Sequence, residues 1–355
     1  MYARCNMDIT KIDKNFAIKH LPDSVELDFY PATDPIFDLR GVVLDDEGYT
    51  RMPREVATTV SVGVAGLYRN TSGGRLRFYT DSPTVTVAAV SDLVTGMPHF
   101  THIGANGFDL YLDGKPQGSF YAFWRKDGDL NYLLVSKVLP HPGEVEIYLP
   151  LYANVTDLKI GLTKGSSIRP TAEKYATEKP VVFYGSSVTQ GGCASRAGMS
   201  YEAILCRELN LDFVNLGFSG SAKGEARMAE YIASLDMSAF VLDYDYNAHT
   251  PEYLAETHRP FFDTVRAAHP DMPIILMTSP KYDRNREFNE RAKVVIATYE
   301  AAVASGDKNV YLVTADDMFS EIGDEGLIDN CHPTDLGFWA MAKALSPVLK
   351  RALGL

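Results

Sequence analysis

A chain of 355 residues with 46% hydrophobic content can bury two cores, and its length suits two domains better than one. The formal net charge of −12, with no local basic patch, argues against nucleic acid and anionic membrane surfaces as partners, since both repel an acidic protein. No stretch approaches the length of a membrane span, so no membrane partner is expected.

The first residues, Met1 to Asp8, lack the basic start and apolar core of a secretory leader, so a cytoplasmic location is expected. Cys5, Cys193, Cys206 and Cys331 follow neither metal-type nor redox-type spacing, which fits free thiols in a reducing compartment. From about Phe37 to Leu162 the chain reads as strands. Leu76 and Phe78 alternate with Arg75 and Arg77; Phe108, Leu110 and Leu112 alternate with Asp109 and Tyr111; Val145, Ile147 and Leu149 alternate with Glu144, Glu146 and Tyr148. This is the pattern of half-buried strands. Asp113 and Gly114 separate the Phe108 run from the run Phe120 to Trp124, where a tight hairpin needs positive φ. Many short strands broken by Gly, Pro and Asp predict a jelly-roll-like β-sandwich. His99 and His102 lie in this β-rich part without neighbouring Cys or paired carboxylates. They are expected to be surface or hydrogen-bonded residues, and no metal site is expected. Tyr121 and Trp124 are expected mainly in the sandwich core, with stacking on sugar rings as the alternative.

Residues 165–179 are polar, with Pro170 inside and Pro180 just beyond, and read as a linker between domains at 1–164 and 180–355. After it the period changes. Strands at Val181, Phe213, Phe240, Ile274 and Val310 alternate with helical segments, the signature of a parallel sheet covered on both faces. Met228, Tyr231, Ile232 and Leu235 keep helical spacing, as do Phe288, Ala292, Val295 and Tyr299. Thr250 and Pro251 form an N-cap and first-turn pair for a helix that Pro260 should kink. The last helix, from about Thr334, places Phe338, Met341, Leu345 and Val348 on one face, and Pro347 should bend it or end it early.

Four segments carry chemistry. The apolar run Val181 to Tyr184 leads through Gly185 into Ser186, Ser187 and Thr189, which puts a hydroxyl at a strand's carboxyl edge, where open parallel sheets bind ligands. The runs ending near Gly220 and Asn247 supply donor types suited to an oxyanion hole. Asp329 and His332 stand on one turn, and Pro333 biases His332 toward extended backbone. A serine hydroxyl needs a base, and His332 with Asp329 behind it supplies one. Cys331 beside His332 is a weaker nucleophile candidate, because the serine scheme explains more residues.

In this order the four segments resemble the blocks of the SGNH (GDSL-type) hydrolases. The match sets Ser187 at the nucleophile, Gly220 and Asn247 at the second and third blocks, and Asp329 with His332 at the final pair. Ser186 stands where the family usually has Asp, and Tyr246 directly before Asn247 where it usually has Gly. Gly185 to Arg196, together with Gly107, Asp109, Leu110 and Tyr111, is similar to the subfamily with an N-terminal GxDLY β-domain. The resemblance implies a flavodoxin-like three-layer α/β/α SGNH domain after the sandwich. It also implies a serine esterase without metal or cofactor, acting on a short-chain ester, acetyl foremost, of a carbohydrate.

The oxyanion hole would comprise Ser187, Gly220 and Asn247. Gln190, Arg196 and Tyr246 are the candidate substrate contacts, with a bridge between domains as the other reading of Arg196. Tyr244 and Tyr246 are expected to crowd the approach to Asn247. The expected partner is a small-molecule or oligosaccharide ester, and the oligomeric state is open, a homo-oligomer included. Lipid or other small esters, acyl transfer, and a non-catalytic glycan-binding protein on a hydrolase scaffold are the alternatives.

Overall fold

The computed structural model describes residues 25–121, 131–280 and 286–355, with backbone alone at 131 and 286–289. Met1 to Asp8, Trp124 and the side chain of Phe288 therefore lie outside the described residues.

Val43–Asp45 pairs with Gly48–Thr50 in a separate two-stranded sheet, and two larger antiparallel sheets form the N-terminal sandwich. One orders Leu27–Pro31, Val155–Thr163, Thr84–Ser91 and Asn131–Val138. The other orders Ile168–Arg169, Arg75–Thr80, Gly143–Tyr148, Phe108–Leu112 and Lys115–Phe120, with Asp38–Arg40 also on Arg75–Thr80. Val85, Val87, Leu158 and Ile160 of the first sheet share one core with Leu76, Phe78, Leu110 and Ile147 of the second. Asp113 and Gly114, at φ 49° and 72°, make the expected hairpin between Leu112 and Lys115.

Three sequence expectations need correction here. Ile168–Arg169, assigned to the linker, pairs with Tyr79 and Thr80. Arg54–Val60 and Val62–Leu67, rich in β-branched residues and read as strand, are helices. Their Val56, Ala57 and Val64 pack into a core shared with Val182, Tyr184 and Leu242 of the C-terminal sheet, so tertiary burial overrides their weak helix propensity. The alternating strands are also not half-exposed: Arg75, Asp109, Tyr111 and Tyr148 are all buried, because their face of the sheet lies against the C-terminal domain.

The C-terminal sheet is parallel and ordered Phe213–Gly217, Val181–Gly185, Ala239–Asp243, Ile274–Met277 and Val310–Val313, the flavodoxin-like 2-1-3-4-5 order. Its strands bury both faces. Val181, Phe183 and Val241 meet Tyr201–Leu209 and Asp335–Leu353 on one side; Val182, Tyr184 and Leu242 meet Ala226–Ala233 and Pro251–Ala268 on the other. The final helix runs through Pro347 to Leu353 instead of stopping, since Leu345 and Leu349 are fully buried and their packing outweighs the lost backbone hydrogen bond. Among the described residues no helix is long and apolar enough to cross a membrane.

The two parts are joined by buried polar contacts. Arg75 is 1% exposed and spans the junction, donating to the Asp212 carboxylate, to the Phe213 carbonyl at 3.1 Å and, at home, to Gly73 O at 2.9 Å. Its guanidinium lies 4.1 Å from the Phe213 ring centroid. Arg51 reaches the Gly217 carbonyl at 2.6 Å, beside the loop that follows that strand.

Candidate active site

At the end of Val181–Gly185 the chain turns into the short helix Ser187–Gln190. Ser186 caps it, its hydroxyl accepting from the Val188 N–H at 3.2 Å, so the hydroxyl of Ser187 is not needed as a cap. The turn leaves no room for a side chain at Gly185, where a Cβ would collide with the Asp243 carbonyl and the Thr189 hydroxyl. Ser187 thus stands at the carboxyl edge of the sheet between strands leading away in opposite directions, the switch point where such sheets form a crevice.

His332 comes to it from the other end of the domain. Asn330, at φ 61°, turns the loop, and Asp329 Oδ1 fixes it by accepting from the N–H groups of Cys331 at 3.1 Å and His332 at 2.7 Å. Thr334 then caps the last helix. The ring is held from both sides: Nε2 is 2.9 Å from Ser187 Oγ, and Nδ1 is 2.7 Å from Asp329 Oδ2. Burial works against the charge of Asp329, but the hydrogen bonds from the His332 backbone and ring, together with the imidazole's charge and the Cys331 N–H, outweigh it and hold the carboxyl below its ordinary range.

The loop after Phe213–Gly217 is tied to this centre. Asn247 donates to the Phe218 carbonyl at 3.0 Å, and the Ser219 N–H donates to Gln190 Oε1 at 2.9 Å. Gly220 follows in a left-handed turn at φ 65°, exposed. Beneath lie Asp243, whose carboxyl meets Thr189 at 3.1 Å, and Asp245, which burial pushes up to about 6.

Gln190 and Arg196 are not where a substrate contact requires. Gln190 is wholly buried, donating to Asn70 Oδ1 at 2.9 Å while accepting from Ser219, so it braces loops of both domains. Arg196 bridges the domains, its Nη1 reaching Asp109 Oδ2 at 2.5 Å and the Tyr111 hydroxyl at 2.6 Å, and the same Asp109 oxygen accepts from the Gly198 N–H at 3.0 Å. Asp109 and Tyr111 are therefore an anchor for the loop beyond Ser187. Tyr244 is buried among Tyr184, Phe261 and His258, away from the approach to Asn247. Tyr246 remains partly exposed, its hydroxyl 3.4 Å from the Cys331 carbonyl of the His332 loop.

Sequence reasoning gave His99 only a surface or hydrogen-bonding role, with no part in the site. His99 lies in a turn closed by Phe100 N–H to Met97 O, and the helix after it, His102–Asn106, presses on the loop past Ser187. A Cβ at Gly104 would strike the Ala194 carbonyl, and Thr101 Oγ1 donates to Ser195 O at 2.7 Å. His99 Nε2 therefore comes 3.7 Å from Asp329 Oδ2, with its ring centroid 5.6 Å from that of His332. The only local signal was a histidine in a Gly- and Pro-containing loop.

Comparison with known proteins matches residues 178–350 to the GDSL-like lipase/acylhydrolase family and residues 27–168 to the GxDLY N-terminus of SGNH-hydrolase-type esterases. A Bacteroides ovatus protein assigned to the GDSL-like lipases is 30% identical, with a TM-score of 0.80 over 93% of this chain and 98% of that one. The salicylyl-acyltransferase SsfX3 of a tetracycline biosynthetic pathway shares the fold at 22% identity and a TM-score of 0.76, covering 93% and 98%. The acetyl xylan esterase Est2A from the rumen bacterium Butyrivibrio proteoclasticus shares it at 12% identity and 0.59, covering 92% and 99%. No curated protein matches.

Proposed function

The chain belongs to the GDSL-like lipase/acylhydrolase family and is an esterase, and from that premise we propose that it hydrolyses short acyl esters, acetyl foremost, of a carbohydrate through an acyl-enzyme on Ser187. The observation that carries this reading is the hydrogen-bonded line Ser187 Oγ, His332 Nε2, His332 Nδ1, Asp329 Oδ2, with links of 2.9 and 2.7 Å. Ser187 Oγ attacks the ester carbonyl as Nε2 takes its proton; Nδ1–H donates to Asp329, whose charge steadies the imidazolium. The proton then passes to the leaving alcohol, and water attacks the acyl-enzyme by the same route in reverse. Asp329 and His332 are both partly exposed, so water has access to this base. The carbohydrate half rests on the fold shared with the acetyl xylan esterase, and a mass-spectrometric screen of acetylated sugars tests it. Loss of acetyl from none of them, with hydrolysis of simple esters intact, rejects the carbohydrate assignment.

The oxyanion donors of this reading are the backbone N–H groups of Ser187 and Gly220 and the side chain of Asn247. The first N–H of a helix has no carbonyl to bond within it, so that of Ser187 is free to serve. One N–H of the Asn247 amide goes to Phe218 O, which orients the second for the oxyanion. Asn247→Ala is expected to lower kcat by about 10²–10³-fold. A change confined to KM would make Asn247 a substrate-binding residue instead.

Activity is expected to rise with pH from the acid side, because only a neutral ring at His332 accepts from Ser187. Asp329, held below the ordinary carboxylate range, stays ionised across that rise and adds no second step. A pH profile of kcat/KM that falls over the same range would contradict a neutral base.

The acyl pocket is expected to be short, with Tyr246 beside Asn247 as its wall. Each methylene accepted into an apolar pocket would add about 0.8 kcal/mol, so a lipid esterase improves as the chain lengthens. Specificity constants on nitrophenyl esters should instead fall from acetate to butyrate and be negligible at octanoate. A maximum at octanoate would replace the acetyl reading with the lipid-ester one.

A further inference from the structure

His99 from the N-terminal domain, Cys193 from the loop beyond the nucleophile and His332 each offer one ligand atom, and the three atoms lie within 4.8 Å of one another. We propose that these residues form a binding site for a soft divalent cation of the zinc class, and that its occupation inhibits the esterase by taking the nitrogen that Ser187 needs.

His332 is already oriented as a ligand. Its Nδ1 is 2.7 Å from Asp329 Oδ2, which leaves Nε2 to coordinate, and a ligating histidine commonly donates its other N–H to a carboxylate in this way. Cys193 is 7% exposed and held at φ 78°, a left-handed backbone that is costly for any residue but glycine. Its loop is pinned beside it: the Ser195 N–H donates to Asp335 Oδ1 at 2.8 Å and the Ala194 N–H to the Gly191 carbonyl at 3.1 Å. Bonds of about 2.0–2.3 Å to zinc put ligand atoms about 3.5 Å apart, so the gap to close is about an ångström. The His99 side chain, 37% exposed, is free enough to close it.

Two imidazoles and a thiolate leave a fourth position for water, and they select soft cations over magnesium or calcium, which take oxygen ligands. Without a cation the buried Cys193 carries its proton as a thiol. On binding, the S–H bond breaks, the sulfur pair forms the metal–sulfur bond and the proton leaves to the buffer. The Ser187 to Nε2 hydrogen bond is replaced by a metal–nitrogen bond, and no base remains for the serine.

Binding stands on this geometry alone, whereas the inhibitory consequence rests on His332 as the base, so the two are read separately. The full chain is titrated with cadmium chloride, following the ultraviolet charge-transfer absorption of a cadmium–thiolate bond, and with zinc chloride in competition with a chromophoric chelator. One cation per chain is expected, with magnesium chloride unable to displace it. The thiolate band should vanish in Cys193→Ser, and zinc affinity should fall tenfold or more in Cys193→Ser, His99→Ala and His332→Ala, each checked for an unchanged circular dichroism spectrum. No thiolate band, a band that survives Cys193→Ser, or equal zinc affinity in His99→Ala and the wild type would overturn the site. Zinc should also inhibit the wild type reversibly, with the inhibitory concentration raised tenfold or more in His99→Ala. Stoichiometric binding through these ligands without inhibition would overturn the inhibitory half of the proposal and His332's role as base with it.

Discussion

Ser187→Ala is expected to leave the protein folded and to lower kcat for ester hydrolysis by about 10⁴–10⁶-fold. Ser186, not Ser187, caps the short helix, and the Ser187 hydroxyl meets His332 Nε2 at 2.9 Å, so removing it deletes the nucleophile with little structural cost. His332→Ala should fall into the same range, because serine and base act as one unit. The double variant should be scarcely worse than either single one. Steady-state rates on nitrophenyl acetate, with circular dichroism as a check on folding, decide the matter. A Ser187→Ala protein that keeps more than about a hundredth of the wild-type rate would remove the acyl-serine from the mechanism, and loss of activity in Cys331→Ala alone would favour the neighbouring thiol.

Arg75→Met is expected to destabilise the whole chain by about 3–5 kcal/mol, as breaking a buried ion pair from one side does. Arg75 is 1% exposed, and among the described residues its partner Asp212 keeps only Arg40 as an ion-pair partner, 44% exposed at 3.3 Å, once the buried guanidinium is gone. The same substitution also strips a donor from the Phe213 carbonyl and the cation from the Phe213 ring. Replacing both partners, in Arg75→Met with Asp212→Leu, should recover much of the loss, since the Asp212 carboxylate is then not left buried without its guanidinium, although Glu146, 4.0 Å from Arg75, remains. Urea unfolding at neutral pH measures both. A cost below about 1 kcal/mol for the single variant would mean that water enters the junction and screens the pair. Phe213 pairs with Val181 at the amino end of the strand that leads to Ser187, so this junction lies at the opposite edge of the sheet from the serine.

Much of the site was legible because it depends on local chemistry. A strand running into Gly185, Ser186 and Ser187 requires a tight turn with a hydroxyl at its edge. Asp329 and His332 on one turn let a single carboxylate fix both the loop and the ring. These links need only a few consecutive residues, so spacing reveals them. Gln190 was misread for the opposite reason: a polar residue next to such a serine looks available for substrate until its partners, Asn70 and Ser219, fold onto it, and for Arg196 the contacts with Asp109 and Tyr111 favour the bridging reading.

The sequence by itself determined the parallel α/β half, through apolar runs buried on both faces, and the order of the chemical groups on its strand ends. Period-two alternation likewise located three strands of one sandwich sheet, Arg75–Thr80, Phe108–Leu112 and Gly143–Tyr148, and the Asp113 and Gly114 pair its hairpin. Only the tertiary structure decided what the polar side of those strands faces. Alternation reports that one face differs from the other, not that the second meets water, and here Arg75, Asp109 and Tyr111 meet the other domain. The helices at 54–67 and the position of His99 were settled in the same way, by surfaces that exist only once both domains have folded against each other.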